Sequence, residues 1–229
     1  MSPNVIDEPT FRNKQFVFKD RLHAGQLLAT KLSNHVNRLN VQLLAIPAGG
    51  VPVGYTIAKN LNLLFDVIIV RKMQIPWNTE AGFGAVSYDG TVLLNEPLVA
   101  QLGLTSEIIQ WCISQTQQII RERLEKFRGN KPFPDLKKKM IILVDDGLAS
   151  GLTMLAAVRS VQKQTPDKIV VAVPTASTSA IELVAPSVDK LICLNIRSDP
   201  IFAVADAYQK WYDLSDEEVM EILRKSWQS

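Results

Sequence analysis

Five short runs of branched apolar residues govern what this chain can become: VQLLAIP (41–47), LFDVIIV (64–70), MIILV (140–144), KIVVAV (168–173) and KLICLNI (190–196). They are apolar at consecutive positions, as parallel strands covered on both faces must be. Helix-sized segments separate them. Strands alternating with helices predict an α/β fold, an open and mainly parallel sheet with helices on both faces. One domain over 1–229 is expected, with a hairpin at 73–95 and a C-terminal segment at 199–229 as elaborations.

Other elements announce themselves by their ends. FKDRLHAGQLLATKLSNHV (18–36) places Leu22, Leu28, Leu32 and Val36 near helical spacing, with Asp20 as N-cap. In LTSEIIQWCISQTQQIIRERLEKF (104–127), Ile109, Cys112, Ile113, Thr116, Ile120, Leu124 and Phe127 form one apolar stripe, with Arg121, Arg123 and Lys126 opposite or flanking. Asp89-Gly90 sits between alternating runs, a hairpin signal. Ser215 and Glu218 stand at capping-box spacing before the last helix.

Net charge is +2 over 229 residues, so the balance itself points to no nucleic acid, and any anion site must be local. Lys137 to Lys139 read as a solvated part of the polar connector 129–139. Cys112 and Cys193 lie far apart in apolar segments and are expected to be reduced and buried. No apolar run approaches the roughly 20 residues that span a bilayer. The polar first residues, MSPNVIDEPTFRNK, lack the pattern of a leader, so a cytoplasmic location with no membrane partner is expected. His23 and His35 sit near the first helix, and no Ser-His-Asp or Cys-His constellation is visible.

The chemistry concentrates in MIILVDDGLASGLTM (140–154). Asp145 and Asp146 end a buried strand, where ligands of open parallel sheets bind. Gly147, Leu148, Ala149, Ser150 and Gly151 lead to Leu152 and Thr153, at a helix start. Small residues let backbone N–H groups turn inward, and the helix N-terminus favours an anion. Carboxylates do not hold phosphate, so they must face hydroxyls or a cation. A sugar phosphate satisfies both halves. Neither a Walker loop nor a dinucleotide fingerprint is present.

This stretch resembles the PRPP-binding signature of the type I phosphoribosyltransferases. FKDRLHAGQLLA, GGVPVGYTIAKNL, DVIIVRK, GAVSYDGTVLLNE and DLSDEEV extend the resemblance to a group of that family whose base is unassigned. The resemblance implies that Asp145 and Asp146 hold the ribose hydroxyls and that 147–153 hold the 5′-phosphate. It implies a pyrophosphate loop at Ala48, Gly49 and Gly50, although many relatives carry Arg where Ala48 stands. Arg71 and Lys72 are expected to act on the reacting centre, with Mg²⁺ accompanying PRPP and reaching Asp145 and Asp146 through water. Residues 73–95 correspond to a flap. Its Asn78 and Glu80 either reach the reacting centre or are simply solvated.

The implied activity is transfer of the 5-phosphoribosyl group to a small nucleobase-like acceptor, a pentosyl glycosyltransferase reaction of nucleotide metabolism that releases pyrophosphate. The alternative is a non-catalytic PRPP- or nucleotide-binding regulator. A homodimer is expected. Ala149 stands where 6-oxopurine enzymes of the family carry an aspartate base, and adenine enzymes carry alanine there. Phe202, Tyr208, Trp211 and Tyr212 are candidates either to stack on an acceptor as a hood or to pack on the sheet end.

Overall fold

The computed structural model describes residues 4–36, 40–199 and 201–227, the side chains of 79 and 80 excepted. In chain order its elements are β1 (Val5–Asp7), α1 (Arg21–Ser33), β2 (Val41–Ala45), α2 (Gly50–Leu61), β3 (Leu64–Val67), β4 (Val70–Ile75), β5 (Asn78–Ser87), β6 (Val92–Leu94), α3 (Glu96–Leu102), α4 (Ser106–Arg128), β7 (Met140–Val144), α5 (Leu152–Gln162), β8 (Lys168–Ser177), α6 (Thr178–Val184), β9 (Lys190–Arg197) and α7 (Asp216–Trp227).

Six strands form a wholly parallel sheet in the order β1-β9-β8-β7-β2-β3. The alternation of strand side chains divides the core. Ile141 and Leu143 of β7 join the α5–α6 cluster, while Ile142 and Val144 join the α1–α2 cluster. Helices thus cover both faces, as the apolar runs predict. The caps also form as read. Asp20 accepts from the His23 amide at 2.8 Å, and Ser215 and Glu218 exchange hydrogen bonds of 2.8 and 3.2 Å.

A second sheet, β4-β5-β6, is antiparallel. It shares a third cluster with α4 and α7, where Met73 and Phe83 meet Ile120, Phe127, Val219 and Leu223. This corrects two expectations. LFDVIIV is not one strand: β3 stops at Val67, whose partner Ala45 ends β2, and Val70 begins antiparallel pairing with Ser87. Arg71 and Lys72 therefore lie within β4, not at the end of a parallel strand. The 73–95 hairpin is a three-stranded meander buttressed by helices. Its Asp89-Gly90 turn forms, but Lys163 holds Asp89 at 3.0 Å and Gln164 holds the Tyr88 hydroxyl at 2.7 Å. Those partners lie beyond the C-terminal end of α5, about 16 Å along the helix from the loop at its N-terminus.

The connector 129–139 is less solvated than its composition suggests. Leu136 is fully buried, Phe133 stacks on Tyr88 with centroids 4.2 Å apart, and Arg128 forms a buried ion pair with Asp66. Both cysteines are free and buried. Among the described residues no helix is long and apolar enough to cross a membrane.

Candidate functional site

The neighbouring strands β2 and β7 end in register, Ala45 opposite Val144, so their following loops leave the sheet side by side. Ile46 donates to the Val144 carbonyl at 2.9 Å, and the Pro47–Ala48 peptide is cis. Gly49 and Gly50 then pass directly under the acidic pair. A Cβ on Gly49 would stand 1.8 Å from Asp146 Oδ2, and one on Gly50 would stand 2.9 Å from the Asp145 Cα. Only glycine permits this approach.

The loop after the acidic pair divides into anchor and cradle. Leu148 is buried; its N–H donates to the Thr175 carbonyl and its carbonyl accepts from Ser177, both at 3.0 Å. This corrects the reading of Leu148 as part of the phosphate cradle, because its amide is already bonded to β8. Ala149 and Ser150 are exposed, and Gly151 caps α5 with φ +78°, a left-handed conformation that glycine adopts without strain. Thr153, in the first turn of α5, lines the adjoining cavity.

Asp146 meets a partner that sequence reading missed. Arg21 Nε donates to Asp146 Oδ2 at 2.8 Å, Arg21 Nη1 donates to the Tyr212 carbonyl at 2.9 Å, and its guanidinium lies 3.9 Å from the centre of the Trp211 ring. The side chain is only 7 % exposed. A signal existed: Arg21 is the first residue of α1, where the helix dipole disfavours a cation. Burial raises the carboxyls of both Asp145 and Asp146. The charge of Asp146 pushes Asp145 further up, whereas Arg21 pulls Asp146 back.

A cavity of about 660 Å³ is lined by the acidic pair and Arg21, by Arg71 and Lys72 from β4, by Arg123 from α4, and by Ala48 and Gly49. Arg71 is held below the ordinary guanidinium range, first by burial and then by the charge of Arg123. The cavity lining therefore combines carboxylates from a loop of the parallel sheet with cations from β4 and α4. A larger groove of about 880 Å³, lined by Tyr55, Leu64 and Trp227, lies beside β3 and contains none of these groups.

The expected hood is only partly available. Tyr208 is 1 % exposed, packs 5.6 Å from Phe18 and 5.2 Å from Trp211, and donates its hydroxyl to the Asp146 carbonyl at 2.6 Å. Of the two roles open to Tyr208, stacking on an acceptor or packing on the sheet end, its burial fits packing, and it braces the acidic loop. Trp211 lines the cavity with Arg21 against one side, while Phe202, near Arg197, and the exposed Tyr212 are absent from its lining. Glu80 lies in β5, and its side chain is outside the described residues.

A parallel sheet whose adjacent loops present an acidic pair and a small-residue turn, with cations of β4 and α4 lining the same cavity, is the architecture of the phosphoribosyltransferase class. The chain belongs to the phosphoribosyl transferase domain family, whose model matches residues 19–210. It is 33 % identical over 211 residues to proteins from two Mycobacterium tuberculosis strains, CDC 1551 and H37Rv, that are provisionally named phosphoribosyl transferases. The match covers 92 % of this chain but 47 % of each relative, so the chain spans about half the length of these curated relatives. A crystal structure of TT1426 from Thermus thermophilus superposes with a TM-score of 0.75 at 32 % identity, covering 91 % of this chain and 98 % of that one. A Neisseria gonorrhoeae protein crystallised with bound ppGpp shares the fold, with a TM-score of 0.51 at 16 % identity over 93 % of this chain and 97 % of that one.

Proposed function

We propose that this protein binds PRPP with Mg²⁺ and transfers the 5-phosphoribosyl group to a nitrogenous base. The observation that carries this reading is the cavity's lining, which joins the acidic pair of one loop to cations of β4 and α4, with a small-residue segment beside the carboxylates. PRPP suits that lining: hydroxyls in the middle, phosphate at one end and diphosphate at the other. In the reaction the bond from the anomeric carbon to the diphosphate oxygen breaks and a bond to the acceptor nitrogen forms. The nitrogen's proton goes to solvent or a base, and pyrophosphate leaves.

Each group has a defined task. Asp145 and Asp146 accept hydrogen bonds from the ribose hydroxyls and fix the ring. The amides after Ala149 and the N-terminus of α5 hold the 5′-phosphate. Arg71 and Lys72, with the Gly49-Gly50 segment, take up the charge that grows on the departing diphosphate. No three His, Cys, Asp or Glu side chains converge on a metal among the described residues. Two carboxylates, one engaged by Arg21, suit a cation that arrives with its own phosphate and water ligands. Asp145 and Asp146 would hold Mg²⁺ through water, and the ion would supply charge neutralisation.

A second reading, a regulator that holds PRPP without turning it over, rests on the neutral Ala48. A nucleobase panel assayed for pyrophosphate release separates the two. Release with one base supports the transferase; PRPP binding with no release across the panel supports the regulator. Absence of any thermal shift at millimolar PRPP and Mg²⁺ would remove both.

A further inference from the structure

The segment Pro47 to Gly50 is electrically neutral, and backbone amides alone balance a diphosphate poorly in a half-buried cavity. The missing positive charge has another source. Arg123, on the long helix α4, lines the same cavity as Ala48, Gly49 and Arg71. Its side chain is 21 % exposed, and its closest carboxylate among the described residues is Asp216, at 3.6 Å. Lys126 holds the same Asp216 more tightly, at 2.9 Å. Arg123 thus shares that carboxylate with Lys126, and the charge of the same Asp216 also has to serve Arg71, which lines the cavity beside it. Two guanidiniums held in one cavity by separate elements repel each other, and an anion between them relieves that repulsion. The effect of Arg123 in lowering the Arg71 pKa agrees with this proximity.

We infer that Arg123 is an anion-binding residue that joins Arg71 on the diphosphate end of the ligand and supplies the charge Ala48 does not. The inference rests on the proposed reading of the ligand as a sugar diphosphate, and it adds a residue from an element outside both phosphate loops. Being planar, the guanidinium offers a fork matched to phosphate oxygens, which a lysine lacks.

The test is calorimetric titration with two separate probes, magnesium pyrophosphate and ribose 5-phosphate. The proteins are the full chain, Arg123→Gln, Arg123→Lys and Lys126→Gln. Arg123→Gln is expected to weaken pyrophosphate about tenfold or more, the size of one lost charge-assisted contact, and to leave ribose 5-phosphate unchanged. Arg123→Lys should fall between it and the parent, and Lys126→Gln, which frees Asp216 to pair with Arg123, should weaken pyrophosphate by less than Arg123→Gln does and leave ribose 5-phosphate unchanged. Unaltered pyrophosphate affinity in Arg123→Gln overturns the inference, as does an equal loss for both probes, which marks a structural role. If the unsubstituted chain binds neither probe, the sugar-diphosphate reading itself falls.

Discussion

Gly49→Ala tests whether the two loops interlock as described. The new methyl would sit 1.8 Å from Asp146 Oδ2 and 2.4 Å from its Cγ, so the carboxylate must retreat by roughly an ångström or more. It cannot do so freely. Oδ2 is held by Arg21 Nε at 2.8 Å, and Arg21 is itself fixed against Trp211 and the Tyr212 carbonyl. Forcing a methyl into such a site costs ~1–3 kcal/mol. For a chain of this size each kcal/mol lowers Tm by about 2–4 °C, giving a fall of roughly 2–12 °C. The displaced carboxylate should also weaken PRPP by about tenfold, read by calorimetry. Repeating the substitution in an Asp146→Ala background closes a double-mutant cycle, and a coupling of ~0.5–3 kcal/mol is expected because the clash then has no target. Equal losses in both backgrounds would show that the strain lies elsewhere. No loss in either would show that the loops do not meet.

Two further outcomes follow from buried charge. Because the carboxyl of Asp145 is raised in the folded state, the native protein binds protons more readily than the unfolded chain in the window from its ordinary value near 3.8 upward to the native value. This group's contribution is full below that window and is lost as pH rises through it. Asp145→Asn should therefore be more stable relative to the parent at pH 7 than at pH 4, measured by urea unfolding at both; a pH-independent difference would refute the burial argument. Asp66→Ala should destabilise by ~3–5 kcal/mol, because Arg128 keeps a buried charge without its partner. PRPP binding by Asp66→Ala, measured below its Tm, should stay unchanged.

The readable parts of this molecule are those where neighbours in sequence act together. Asp20, Ser215 and Glu218 cap helices through amides three residues away, and the Asp89-Gly90 turn needs only its own flanks. The acidic loop belongs to the same class, since strand, carboxylates, small residues and helix run consecutively from Met140. Arg21 escaped notice because its partner is 125 residues distant, and Arg123 because a flanking cation on an amphipathic helix looks solvated until a sheet packs beside it. The tasks of Leu148 and Tyr208 are hidden from the sequence for one reason: a hydrogen bond to a distant carbonyl employs each of them, and residue type alone does not show it. LFDVIIV was misjudged because apolarity is preserved when a chain leaves one sheet for another; Val67 and Ile69 both enter the third cluster. β1 and α3 are three and seven residues long, and such lengths carry little periodicity.

The cavity follows a seam in the packing. Asp145, Asp146 and the cradle rise from the parallel sheet, whereas Arg71 and Arg123 belong to elements packed around Met73, Phe83 and Ile120. A molecule held by both sets of groups would act as a rivet between two sheets whose cores already touch, Ala45 and Val67 sharing the third cluster with Met73, and Val70 and Ala85 sharing the first with α5. By linkage, whatever free energy it gains on binding reappears as cohesion across that seam. Protection of the β4–β5 amides from hydrogen exchange would then report occupancy of a pocket whose other half those strands do not form.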